Sequence, residues 1–208
     1  MTVHAKLDHP EPRHLSDYNV VAVGSSAGGL RSLSALLAPL PAEFRCAVVV
    51  APHLFRGHRS MMADLLDRKT NLPVRQAHDG DAIVPGVALI AVPDLHMLAD
   101  CGGIVRLLDS PAVHHLRPSI DLLFESVAVH YRQRAIGVIL SGSGRDGAEG
   151  IRAIKQAGGV TLAEDPDQAE FSSMPTAAIA TGCVDFVLPA HDLALTLLQL
   201  SLAHTSHD

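Results

Sequence analysis

The chain has 208 residues, enough for one domain with a full core, and a formal net charge of −6. Two Tyr, five Phe and no Trp argue against a base-stacking platform, and the absence of a Lys/Arg run argues against nucleic acid as a partner. No apolar stretch approaches the roughly 20 residues that cross a bilayer, and Cys46, Cys101 and Cys183 form no Cys-x-x-Cys pair. A soluble, cytoplasmic protein with reduced thiols is expected.

Met1 to Asp17 is polar and holds His4, His9 and His14 at a spacing that shares no helical face. It is expected to be a flexible leader, neither a signal peptide nor a metal site, ahead of a single domain over 18–203. The apolar run Asn19 to Val23 predicts a strand, followed by a turn of small residues and a helix over Leu30 to Leu40 that Pro39 and Pro41 close. Cys46 to Ala51 is nearly all apolar, as for a parallel strand covered on both faces, and ends at Pro52-His53. His58 to Lys69 predicts a helix with Met61, Met62, Leu65 and Leu66 inward, and Leu72 to Ala77 a strand entering the Asp79-Gly80-Asp81 turn. Val87 to Val92, His96 to Ala99 and Ile104 to Leu108 are short strands between frequent turns, which predicts an antiparallel hairpin or meander near 87–108. Helix returns over Pro118 to Arg134, with Pro118 in its first turn and Ile120, Leu123, Phe124, Val127 and Tyr131 as its inner stripe. Ala135 to Leu140 is a strand, Ala148 to Ala157 a helix ended by Gly158-Gly159, and Val160 to Ala163 a further strand. Ser173 to Thr181 and His191 to Leu202 read as helices around a strand at Val184 to Leu188. This alternation predicts an α/β fold: a doubly wound, mostly parallel sheet with helices on both faces.

Gly24-Ser25-Ser26-Ala27-Gly28 places Ser26 in G-x-S-x-G order at a strand-to-helix turn, the spacing of a nucleophile elbow. A phosphate cradle at a helix N-terminus is the competing reading, although the loop lacks a Walker Lys. In doubly wound sheets reactive groups gather outside the carboxyl ends of the strands. Three strand ends here carry Ser26, His53 and, on a Gly-rich loop, Asp146. A serine hydroxyl becomes a nucleophile when an imidazole takes its proton and a carboxylate fixes the imidazole's tautomer. Each residue also has a plainer role. His53 would cap a loop, Asp146 would be the N-cap of the 148–157 helix, and Ser25 competes with Ser26.

Seven stretches, in order, carry a resemblance. They are Val23 to Gly29, Ala51-Pro52-His53, Asp79-Gly80, Asp94 to Met97, Arg117 to Phe124, Gly137 to Gly147 and Met174-Pro175. Over nearly all of 18–202 the chain resembles the catalytic domain of the CheB protein-glutamate methylesterase family. The resemblance places the nucleophile on Ser26, the base on His53 and the orienting acid on Asp146. It leaves Ser25, where the family usually has Ala, as accessory. It implies hydrolysis of glutamyl methyl esters on methyl-accepting chemoreceptor-like proteins, with glutamine deamidation by the same route and no metal or cofactor. The backbone N–H groups of Ala27 and of the Ser143 loop would hold the oxyanion. A cognate methyltransferase or a separate response regulator would be further partners. The alternative is a CheB-like binding module that docks in a signalling complex without turnover.

The chain departs from the family at Pro52-His53-Leu54-Phe55, where Gln-His-Met-Pro is common, and at Ser141-Gly142-Ser143-Gly144, where Thr-Gly-Met-Gly is common. Ser143 would change the site wall, and with it substrate preference. The seventeen leading residues are too few for the receiver domain that family members usually carry, so a receiver domain in the same chain is not expected to regulate it. His96 is expected to be a structural or rim histidine, and Arg117 either a helix support or a substrate contact. His78 and His114-His115 lack a ligand constellation.

Overall fold

A computed structural model describes residues 19–54, 57 and 60–203. The expected leader, the start of the helix expected from His58, and Phe55 lie outside the described residues. Apolar residues alternate along β1 (Val20–Ser25), with Val20 and Ala22 entering one core and Val21 and Val23 the other. A period of two buried on both sides requires helices on both faces. The chain supplies them between β2 (Ala47–Pro52), β3 (Val74–Gln76), β4 (Ala88–Ile90), β7 (Ala135–Ile139), β8 (Val160–Glu164) and β9 (Phe186–Leu188). These strands form one parallel sheet in the order β3-β4-β2-β1-β7-β8-β9.

Helix α1 (Gly29–Leu37) packs with α6 (Ala190–Ala203) on one face, where Leu33, Leu36, Leu37, Leu193 and Leu197 are fully buried. Helices α3 (Ile120–Tyr131), α4 (Ala148–Gln156) and α5 (Ser173–Ile179) cover the other. The predicted stripe of α3, Ile120, Leu123, Phe124, Val127 and Tyr131, is buried throughout. Ile120 lies so close to β1 that a Cβ on Gly24 would collide with it. The elbow's first glycine therefore makes room for a helix rather than for a substrate.

Only two of the three short strands pair antiparallel. Strands β5 (His96–Ala99) and β6 (Val105–Leu108) form a hairpin against α3, while β4 joins the parallel sheet between β2 and β3. Helix α2 is a short piece, Met62–Asp67, and buries Ala63 and Leu66 but leaves Met61 and Leu65 exposed. Six residues present only one inward stripe, so the expected inward set was too wide. Pro118 precedes α3 rather than starting it, and Ser119 is the N-cap, accepting from the Leu122 N–H at 3.5 Å. No helix among the described residues is long and apolar enough to cross a membrane.

Sheet order sets where a site can form. From β1 the chain crosses through α1 to β2 on one side, and from β7 through α4 to β8 on the other. The crossovers from the neighbouring strands β1 and β7 run in opposite directions, which opens a crevice beyond their carboxyl ends.

Candidate active site

Beyond β1 the backbone turns through Ser26 and Ala27 into α1, closed by the Gly29 N–H on the Ser26 carbonyl at 2.9 Å. Gly28 caps α1 at φ 73°, where a side chain is strained, and a Cβ there would lie 2.7 Å from Ser141 Oγ. Ser26 is partly exposed and opens on a cavity of about 580 Å³ that His53, Leu30, Leu54, Met62, Arg31, Lys69 and Glu170 also line. Ser25 is fully buried, its hydroxyl packed against Gly29.

Parallel register brings the second group alongside. Ser25 pairs with Pro52, and the His53 N–H donates to the Ser25 carbonyl at 2.9 Å. His53 Nε2 lies 2.8 Å from Asp146 Oδ2. The imidazole is only 12% exposed and the carboxylate 3%. Since a carboxylate only accepts, Nε2 carries the proton and Nδ1 keeps the lone pair.

Asp146 is not the cap of its own helix. Gly147 occupies the N-cap position of α4, and the N–H groups of Gly147 and Gly150 both donate to Asp121 Oδ1 at 2.8 Å. Asp146 instead closes α3. It accepts from the Ile120 N–H at 2.8 Å, the Asp121 N–H at 3.1 Å and the Ser119 hydroxyl at 3.2 Å. Burial drives the Asp146 pKa up, but the hydrogen bonds from His53, Ile120 and Asp121 outweigh it and hold the carboxyl below its ordinary range. Burial, reinforced by the Asp146 charge, pushes Asp121 up to about 6 despite the two N–H groups on it.

His96 is fully buried and structural. Its Nδ1 accepts from the Ser119 N–H at 3.1 Å and its Nε2 donates to the Pro111 carbonyl at 3.1 Å. Arg117 pairs with Asp109 at 2.6 Å and donates to the Ser110 carbonyl at 2.9 Å, which braces the approach to α3. Ser143 is exposed on the loop after β7, and that loop reaches the elbow through Gly142. A Cβ on Gly142 would strike Met174 Sδ and stand 2.8 Å from Ser26 Cβ.

Four contributors were not singled out from sequence: Ser119, Asp121, Ser141 and Glu164. Ser141 is fully buried, its carbonyl accepts the Ser26 N–H at 3.0 Å, and its hydroxyl donates to the Ala27 carbonyl at 2.9 Å. Glu164 ends β8, 4% exposed. A carboxylate closing an apolar strand at the rim was the signal available for it. Among the described residues no group of three or more His, Cys, Asp or Glu is arranged to hold a metal ion.

The chain and its fold are similar to known proteins. Residues 21–197 match the CheB methylesterase family. The chain is 40% identical over 190 residues to the protein-glutamate methylesterase/protein-glutamine glutaminase 2 of Anaeromyxobacter dehalogenans, covering 91% of this chain and 55% of that protein. It is 40% identical over 188 residues to the protein of the same name from Pseudomonas aeruginosa, covering 89% and 54%. The chain thus spans about half the length of these curated relatives. The crystal structure of the Thermotoga maritima CheB methylesterase catalytic domain superposes with a TM-score of 0.85 at 35% identity, covering 88% of this chain and 98% of that one. By sequence over 177 consecutive positions (21–197) and by the sheet that carries the site, this chain belongs to the CheB methylesterase family.

Proposed function

We propose that the chain is a serine carboxyl-ester hydrolase that removes methyl groups from γ-glutamyl methyl esters on chemoreceptor-like proteins, and deamidates glutamine at such sites. The names of its relatives support this reading. The observation that carries it is the His53 Nε2 to Asp146 Oδ2 contact of 2.8 Å, at the wall of the cavity onto which Ser26 opens.

Ser26 Oγ attacks the ester carbonyl while His53 takes its proton. With Nε2 committed to Asp146, the accepting atom is Nδ1. The negative charge developing on the carbonyl oxygen is met by the N–H groups of Ala27 and Ser143, which donate to no acceptor among the described residues. Their neighbours are committed: the Ser26 N–H to Ser141 and the Gly142 N–H to Phe171. The imidazolium, stabilised by Asp146, returns its proton to the departing methoxide, and methanol leaves. Water then attacks the acyl-enzyme with His53 again as base, releasing glutamate and restoring Ser26. For glutamine the leaving group is ammonia. Leu30, Leu54 and Met62 give the cavity an apolar wall, and Arg31, Lys69 and Glu170 add charge of both signs around it.

The test is to incubate the protein with methylated cytoplasmic domains of chemoreceptors and assay methanol. Release that disappears with Ser26→Ala is expected. No release, or full release with Ser26→Ala, overturns the proposal.

A further inference from the structure

Glu164 is a buried carboxylate that the steps above leave unused. It closes β8 beside the end of β7, and each of its oxygens accepts one hydrogen bond across the switch point. Oε1 accepts from the Ser32 hydroxyl on α1 at 3.0 Å, and Oε2 accepts from the Ser141 N–H at 2.7 Å. Strand β7 leaves the ladder here. Its last registered pair with β8 is Ile139 and Ala163, while the Leu140 N–H faces the other way and completes the ladder with β1 at the Gly24 carbonyl, 2.9 Å. The next N–H, on fully buried Ser141, has no strand to bond and takes the Glu164 side chain.

Ser141 in turn grips the elbow from outside. Its carbonyl accepts the Ser26 N–H, its hydroxyl donates to the Ala27 carbonyl, and the same hydroxyl accepts the Phe171 N–H at 2.9 Å. Glu164 therefore ties both flanks of the turn: α1 behind it through Ser32, and the loop after β7 in front of it through Ser141.

We infer that Glu164 is a positioning residue for the nucleophile turn, acting through its acceptor oxygen on the Ser141 N–H, which fixes Ser26 and the Ala27 peptide relative to His53. It touches neither substrate nor the reacting atoms. The inference rests on the serine-hydrolase reading. It differs from a purely structural role in one respect: losing the acceptor slows acylation of Ser26 in protein that is still folded, because a displacement of about 1 Å at a reacting group costs on the order of a hundredfold in rate.

The measurement is the rate of covalent labelling of Ser26 by a fluorophosphonate, per folded protein, with kcat and KM for methanol release alongside. Glu164→Leu, which fills the space without an acceptor, is expected to label about a hundredfold more slowly, with kcat falling alike and KM little changed. Glu164→Gln keeps an oxygen for Ser141 and turns its amide to the Ser32 hydroxyl, which accepts as readily as it donates. It is expected to restore labelling to within about threefold of wild type. Glu164→Met replaces the leucine variant if that fails to fold. A wild-type labelling rate in whichever of Glu164→Leu and Glu164→Met folds, or a glutamine variant as slow as that apolar one, overturns the inference. Wild-type protein that does not label at Ser26 overturns the hydrolase reading and the inference with it.

Discussion

Asp146 and Asp121 cap each other's helices. Asp146, just ahead of α4, accepts the Ile120 and Asp121 N–H groups of α3, while Asp121, in the first turn of α3, accepts the Gly147 and Gly150 N–H groups of α4. The partial positive charge at each helix N-terminus thus faces a carboxylate from the other. The carboxylate offered to His53 is therefore anchored by a helix pair rather than by its own loop.

Asp146→Asn is expected to reduce kcat by about four orders of magnitude while leaving KM nearly unchanged. The amide NH2 turned toward His53 would donate to Nε2, which favours the tautomer with its proton on Nδ1, the atom proposed to act as base. It would also leave an N–H of α3 poorly accepted, a loss of about 1–2 kcal/mol in stability. Esterase assays and urea denaturation measure the two effects separately, and unchanged turnover would reduce Asp146 to a helix cap.

Asp121→Asn changes the pH dependence of stability. Asp121 holds its proton more tightly folded than unfolded, with its pKa raised from 3.8 to about 6. Across that window the folded state binds more protons, so stability falls as pH rises and the penalty is complete above it. Asn accepts both N–H groups without ionising. Relative to Asp121→Asn, the wild type is expected to lose about 1 kcal/mol between about pH 4 and pH 7, after allowance for solvent screening. Denaturation curves at the two pH values decide it. Parallel behaviour of the two proteins would mean Asp121 ionises as an ordinary carboxyl.

A serine-directed fluorophosphonate is expected to label Ser26 alone of the adjacent pair. Ser25 is fully buried while Ser26 opens on the cavity. Peptide mass mapping should find the adduct on Ser26 in wild type and in Ser25→Ala, and none in Ser26→Ala. An adduct on Ser25 would reverse the assignment.

Gly142→Ala presses a methyl group between Ser26 and Met174. A loss of about 1–3 kcal/mol in stability and about a hundredfold in kcat is expected. Adding Met174→Ala relieves the collision with sulfur but not the 2.8 Å approach to Ser26 Cβ. Turnover should therefore stay low in the double variant, and since Met174 is itself a core side chain its loss keeps the melt low as well; recovery of turnover would place the defect at Met174 instead.

What sequence could reveal follows from what is local. The stripe of α3 and the alternation along β1 are statements about neighbours three, four or two residues apart, and the structure keeps them. Ser26, His53 and Asp146 stood out as candidates because each directly follows or lies near an apolar strand, and the structure brings His53 against Asp146 and places Ser26 and His53 on one cavity. The Asp121–Asp146 exchange was not legible, since a carboxylate before a helix is the pattern of an ordinary N-cap, and only the packing of α3 on α4 redirects it. Strand β4 was misplaced for a related reason. A strand of three residues between frequent turns looks like part of a hairpin, yet its partners are Val48 to Val50 and Val74 to Gln76. Glu164 stayed hidden because its meaning depends on where β7 parts from β8.

The placement of β1 between β2 and β7 also governs when reactivity arises during folding. His53 and Asp146 meet across 93 positions of chain, and the β5–β6 hairpin and α3 lie between β1 and β7 in sequence although the two strands are neighbours in the sheet. Contacts of such separation form late and slowly. A nascent or truncated chain that ends before β7 would display the serine and the imidazole with no acid to join them. The proposed hydrolytic competence would thus require completion of the central three strands, and recovery of labelling at Ser26 after dilution from denaturant would time that step.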